Sequence, residues 1–213
     1  ISNQDLTTFQ KICDVETEIE ETRINDAKVD PYGGIVFGTY NEYPDRKNRK
    51  PIASLYRLAP DLSLIKLLSN ITVANGIAFS QEENILYFAD TPTGRIQKFE
   101  YSKDFNKFHE LRSNLIFKDV GVPDGATMDS QNNYWSARVR GNCIICIDIK
   151  KEKILKKVNL PTATPTCLTF GGPDSSNLFV TSLRADPIND NVDGNLYKVE
   201  TSTKGLMQLL SDI

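Results

Sequence analysis

Three times, and in part a fourth, this chain repeats one order of segments. A polar residue leads a short apolar strand, then come a turn, a second strand, and a third strand of basic or polar character. The first copy runs from Asn25 through Asp30 and Pro31 to GGIVFGTY and IASLYRL. The second is NGIAFS from Asn75, followed by NILYFADT and GRIQKFEY. The third is DGATMD from Asp124, followed by NNYWSARV and GNCIICIDI. A fourth begins TCLTFGG at Thr166 and continues to SNLFVTSL and GNLYKVE. Successive leading residues lie 50, 49 and 42 positions apart. A multi-stranded unit of this length cannot bury its own apolar faces, so it stacks on its neighbours around a common axis as a blade of a β-propeller. The expected fold is therefore an all-β propeller. In it Asn25, Asn75 and Asp124 meet near the axis despite their separation in sequence.

Composition narrows the function. The chain has 213 residues, 39% hydrophobic and 25% charged, ordinary values for one globular core. A net charge of −3 gives no basic face for nucleic acid. No apolar run approaches the roughly 20 residues that span a bilayer, so neither nucleic acid nor membrane is an expected partner. The opening ISNQDLTTFQ has no charged or apolar region of a signal peptide. With no initiator Met, Ile1 is expected to be internal to a longer precursor. Cys143 and Cys146 form C-x-x-C, but NCIICIDI reads as a strand, where positions i and i+3 face opposite ways. These thiols read as buried apolar residues, and the sparse cysteines suit a reducing, cytoplasmic setting. The sequon at Asn70 reads as a chance match.

Residues 11–22 alternate apolar and acidic and are expected to form a half-exposed outer strand of a preceding blade. Residues 43–50, YPDRKNRK, read as a basic loop between strands, and residues 100–120 as an outer strand plus connector. Turn signals recur at Gly33-Gly34, Gly94, Asn132-Asn133, Gly141 and Gly194. The whole of 1–213 reads as one propeller domain.

Four ordered signatures carry a resemblance over about residues 20–200. They are RINDAKVDPYGG, ANGIAFS with LYFADT, PDGATMD with YWSA, and PTCLTFGGPDSSNLFVTS. Together they resemble the family of regucalcin (senescence marker protein), gluconolactonase and luciferin-regenerating enzyme. The resemblance implies a six-bladed propeller, about four and a half blades of which are present here. It also implies one divalent cation at the end of the central tunnel and hydrolysis of sugar-acid lactones. By motif it makes Asn75 and Asp124 metal ligands, with Asp124 also the candidate base, and gives Arg23 and Asn25 substrate or outer contacts. Two departures stand out. The E-G-P-x-W signature that carries the family's third ligand is missing, as is roughly the first blade and a half. Ala27 also stands where the R-x-N-D-G motif has Gly.

The residue types suit that chemistry. Amide and carboxylate oxygens are hard donors, which places calcium first, with magnesium, manganese or zinc as alternatives. An open divalent site polarises a lactone carbonyl and acidifies water. No His or Cys stands at a leading position, so zinc is expected to find no soft partner there. Asp26, Asp90 and Asp129 read as turn and blade-stabilising carboxylates, and Trp135 and Phe170 as wedges between blades. Arg23 reads equally as a substrate contact or as the partner of a neighbouring carboxylate. The stretch from Asn189 to Glu200 nearly spells an EF-hand loop, but its flanks read as strands. His109, the lone histidine, lies out of phase with every leading residue, which argues against a Ser-His-Asp device. The expectation is a metal-dependent lactonase acting on a small lactone. The rivals are a non-catalytic calcium-binding regulatory propeller and a related hydrolase of organophosphates or aryl esters.

Overall fold

The computed structural model describes residues 10–80, 82, 84–184, 191–206, 210, 211 and 213. Fifteen strands fall into four antiparallel sheets. The first blade comprises β1 (Thr22–Val29), β2 (Ile35–Asn41), β3 (Ala53–Leu58) and β4 (Leu64–Ile71). The second comprises β5 (Ala74–Phe79), β6 (Ile85–Asp90), β7 (Arg95–Tyr101) and β8 (Phe108–Ile116), with one 3₁₀ turn at Thr91–Thr93. The third comprises β9 (Val122–Met128), β10 (Tyr134–Val139), β11 (Cys143–Asp148) and β12 (Lys153–Asn159). The fourth comprises β13 (Pro165–Gly171), β14 (Asn177–Ser182) and β15 (Leu196–Glu200). Within each sheet the strands pair in sequence order, so every connection is a local hairpin. The inner strands β1, β5, β9 and β13 pack consecutively. The sheets are therefore propeller blades.

Apolar faces between blades form the core. Ile85, Tyr87, Ile96, Tyr134 and Ile145 fill the interface of the second and third blades. Trp135, Ile144, Leu168, Phe170 and Val180 fill that of the third and fourth. Trp135 stands edge-on to Phe170 at 6.0 Å between centroids, the wedge read from sequence. Cys143 belongs to the first of these clusters and Cys146 to the second. The two thiols thus lie on opposite faces of β11. All four cysteines are free.

Polar groups staple the blades together. Asp90 accepts the Val73 and Thr72 amides at 2.8 and 3.1 Å, and Asp129 accepts Gln131, Asn133 and the Trp135 indole N–H at 2.9 Å each. Both carboxylates are the blade-stabilising groups expected.

Residues 11–22 depart from expectation. Cys13 and Val15 do pack against Phe37, Tyr56 and Leu58 of the first blade. The segment is nevertheless not a strand before Thr22, because Glu16 adopts φ 51° and starts a turn closed by the Ile19 amide on its carbonyl. Alternation supplies a face, whereas a strand also needs a ladder partner, and among the described residues the ladder reaches only the end of this segment, where the Glu42 amide donates to the Glu21 carbonyl at 2.8 Å beside the start of β1. In the EF-hand-like stretch Asn189 and Asp190 lie outside the described residues. Residues 191–194 form a turn entering β15.

In the fourth blade Leu196 and Leu183 remain 66% and 43% exposed. Exposed apolar side chains beside a sheet edge favour pairing between molecules. Self-association of this 213-residue chain is expected in sedimentation at micromolar concentration. A monodisperse monomer would contradict it.

Candidate active site

The inner strands carry one irregularity at one level. In β1, Asn25 and Asp26 together oppose the single residue Gly38 of β2. In β5, Gly76 and Ile77 oppose Phe88 of β6. In β9, Asp124 and Gly125 oppose Ala137 of β10. In β13, Thr166 is the extra residue between the pairs at Pro165 and Cys167. A β-bulge re-aims the side chain beside it, and the four bulges sit at or next to the four leading residues. Those residues therefore lie inside the inner strands, not ahead of them. Gly76 shows why glycine belongs here. Its φ is +65°, and an added Cβ would stand 2.5 Å from the Tyr134 hydroxyl.

Asn25 and Asn75 come together directly. Asn25 Nδ2 donates to Asn75 Oδ1 at 3.1 Å and to the Ala74 carbonyl at 2.8 Å. Asn75 Nδ2 donates to Thr91 Oγ1 at 2.8 Å, and that hydroxyl donates to the Pro123 carbonyl at 2.8 Å. This relay ties three blades together and leaves the Asn75 amide oxygen turned toward Asn25. Asp124 is next in line, its carbonyl 3.4 Å from where a Gly76 Cβ would stand. Arg138, fully buried, grips the Phe117, Val120 and Gly121 carbonyls and fixes the segment that leads into Asp124.

Arg23 is the candidate that the fold keeps apart. It lies on the exposed rim, donates to the Tyr40 hydroxyl at 2.8 Å, and pairs with Glu42. Its guanidinium also covers the Tyr40 ring.

Sequence reasoning missed two groups at the axis. Asp26 sits in the bulge itself, not in a turn, and accepts the Ile77 amide of the next blade at 2.9 Å. Burial raises its pKa to about 6, against the pull of that amide and of Lys28. Burial, and then the charge of Asp26, raise Asp124 to about 7, opposed only by the Gly125 amide. Cys167 is the other. Its sulfur is 2.8 Å from where a Gly125 Cβ would stand, and Asp26 and Asp124 both act on its ionisation. A soft donor therefore does stand beside the site, one residue past the leading Thr166. Burial, followed by the Asp26 charge, pushes its thiol pKa up.

The donors fit a divalent cation. Among the described residues no ion pair forms at Asp124, and Asp26 feels only the more distant Lys28, so two neighbouring carboxylates stand with little counter-charge. The Asn75 oxygen, which accepts from Asn25, has a second lone pair to spare. Hard oxygen donors around little-compensated negative charge suit calcium or magnesium. Among the described residues no three His, Cys, Asp or Glu side chains gather around one point. Amide oxygens and water would have to complete the coordination.

The two raised carboxyls make a stability prediction. Unfolded, both ionise near 3.8, the ordinary value for an aspartate; folded, they hold protons to about 6 and about 7. Between those limits the folded state binds more protons, so stability falls as pH rises. Metal-free protein is expected to gain less from Asp124→Asn at pH 5 than at pH 8, read as the difference in Tm. A difference unchanged across that range would contradict the assignment.

Together these features define a β-propeller with an acidic, amide-lined centre on its axis. The chain belongs to the SMP-30/gluconolactonase/LRE-like family, whose model matches residues 1–184. The 6-deoxy-6-sulfogluconolactonase of Pseudomonas putida is 30% identical over 82% of this chain and 59% of its own length. A luciferin-regenerating enzyme structure superposes with a TM-score of 0.89 at 31% identity, covering 97% of this chain and 71% of that one. A calcium-binding protein, regucalcin, from Agrobacterium tumefaciens superposes with a TM-score of 0.82 at 25% identity, covering 93% and 68%. The chain thus spans about three fifths of the length of curated relatives it matches. No helix among the described residues is long and apolar enough to cross a membrane.

Proposed function

We propose that the protein to which this chain belongs is a divalent-metal-dependent lactonase that hydrolyses sugar-acid lactones such as gluconolactone. The observation that carries this reading is Asp124, a carboxyl whose pKa burial and the Asp26 charge raise to about 7, on the inner strand that packs next to the one carrying Asn75. The named activity of the Pseudomonas relative supports it.

A divalent cation held by Asn75 and Asp124 would polarise the lactone carbonyl and acidify water. Asp124 takes the proton of the attacking water as its oxygen bonds to the carbonyl carbon. Without the ion, burial and the Asp26 charge raise the Asp124 carboxyl to about 7; a bound cation would favour its ionised form, which is the form a base needs. The ring C–O bond then breaks, and the freed alkoxide recovers the proton from Asp124. The product is the open hydroxy acid. Asn25 holds the Asn75 oxygen in place and offers an amide to a substrate hydroxyl. Arg23, at the rim, meets the sugar as it enters. The free thiols suit a cytoplasmic location.

The test is acid release from glucono-δ-lactone above the spontaneous rate, with calcium, manganese or zinc and with chelator. Metal-stimulated turnover supports the reading. Calcium binding without turnover would favour the second reading, a regulatory calcium-binding propeller, which the description of the Agrobacterium regucalcin as calcium-binding supports.

A further inference from the structure

The catalytic reading leaves one large cavity unused. It has a volume of about 610 Å³ and lies at the far end of the inner strands. Its walls include Lys28 and Val29 of β1, Phe79 of β5 and Met128 of β9. These positions stand three or four residues beyond Asn25, Asn75 and Asp124, roughly 10 Å further along each strand. The hairpin residue Tyr32, with Ser80, Asn84 and Tyr101, completes the rim. The size matches sites that enclose a small organic ligand.

The chemistry of the lining is one-sided. Lys28 is half-buried; among the described residues no hydrogen bond or close ion pair engages its ammonium, and the Asp26 carboxylate acts on it only from a distance. Ser80, 2% exposed, accepts from Asn132 Nδ2 at 3.0 Å, which leaves its own proton to donate. Asn84 uses its oxygen to accept from the Tyr32 hydroxyl at 3.1 Å, and among the described residues its NH₂ meets no acceptor. Three donors in a lining that includes no Asp or Glu suit an acceptor-only group, and a carboxylate or sulfonate is one. The apolar side is aromatic. Phe79 meets Tyr101 edge-on at 5.7 Å, and Tyr32 meets Tyr101 edge-on at 6.3 Å, a wall against which a flat ring packs. Lys103 stands over the outer face of Tyr32 and adds positive potential at the entrance.

We propose that this cavity is a second ligand site, separate from the axial carboxylates. It takes a small molecule with a flat apolar body and one carboxylate or sulfonate, the anion held by Lys28.

The probes are 2-naphthoate and its neutral isostere 2-naphthamide, titrated into the full chain by NMR. The acid is expected to bind about fivefold or more tighter than the amide, as a charge-assisted hydrogen bond would give. Lys28→Met is expected to abolish that preference, and Lys28→Arg to keep it. Intermolecular contacts from the naphthyl protons should fall on the Ala78 and Met128 methyls. Asp124→Asn should leave naphthoate affinity unchanged, which separates this site from the lactonase centre. Equal binding of acid and amide, no binding of either, or a preference that survives in Lys28→Met would each overturn the proposal.

Discussion

Asp124→Asn is expected to lower metal-dependent acid release from glucono-lactone by at least about a hundredfold, the usual scale for losing a positioned general base. Asn keeps the size of the side chain and one oxygen donor but cannot take a proton. The loss should therefore fall on kcat, while calcium affinity drops less. Asn75→Ala should show the reverse balance, because it removes an oxygen and breaks the relay through Thr91 to the third blade. Asp26→Asn is informative in a third way. It removes the charge that helps hold the Asp124 carboxyl protonated near neutrality. In the metal-free protein the Asp124 titration, followed by NMR, should then move to lower pH. Unchanged turnover in both Asp124→Asn and Asn75→Ala would defeat the axial site.

The largest expected effect on stability lies away from the axis. Arg57 Nε meets Asp30 Oδ2 at 2.6 Å, with the two side chains 4% and 0% exposed. Asp30 also accepts the Tyr32 and Gly34 amides, and Arg57 lies over the Phe105 ring at 4.6 Å. No side chain has room to relax, since a Cβ at Gly34 would already stand 2.6 Å from Asp30 Oδ2. Arg57→Met strands a buried carboxylate and is expected to cost about 3–5 kcal/mol. For a chain of this size that lowers Tm on the order of 10 °C. Arg57→Met combined with Asp30→Asn should recover much of the loss, because the penalty comes from the unpaired charge rather than from the missing pair. A single variant as stable as the native chain would show that water reaches the site.

The blades were legible because a strand period, a hairpin and an apolar face are written locally. The convergence of Asn25 with Asn75 followed from their equal phase. The opposite facing of Cys143 and Cys146 followed from strand geometry alone. What stayed hidden depended on groups meeting across the axis. Asp26 occupies the bulge beside Asn25, but the corresponding positions in the next two blades hold glycine, so no repetition marks it. Cys167 follows the leading Thr166 by one residue and gains its neighbours only when β13 packs beside Gly125 of β9. Residues 11–22 show the converse failure. A perfect alternation there produced packing without a strand, because alternation says which side is apolar and nothing about whether a neighbouring backbone is present.

The recurrent bulge has a consequence for how such a centre changes over time. Each inner strand offers an equivalent socket, and the four now hold two amides, a carboxylate and a hydroxyl. Exchanging one occupant alters the ion preference of the whole without disturbing the packing beneath it. Thr166→Asp would install a further negative group, and Asp124→Asn would withdraw one. If the proposed centre holds an ion, single substitutions at these four positions are a route by which blades packed this way could shift between keeping that ion and using it on a lactone.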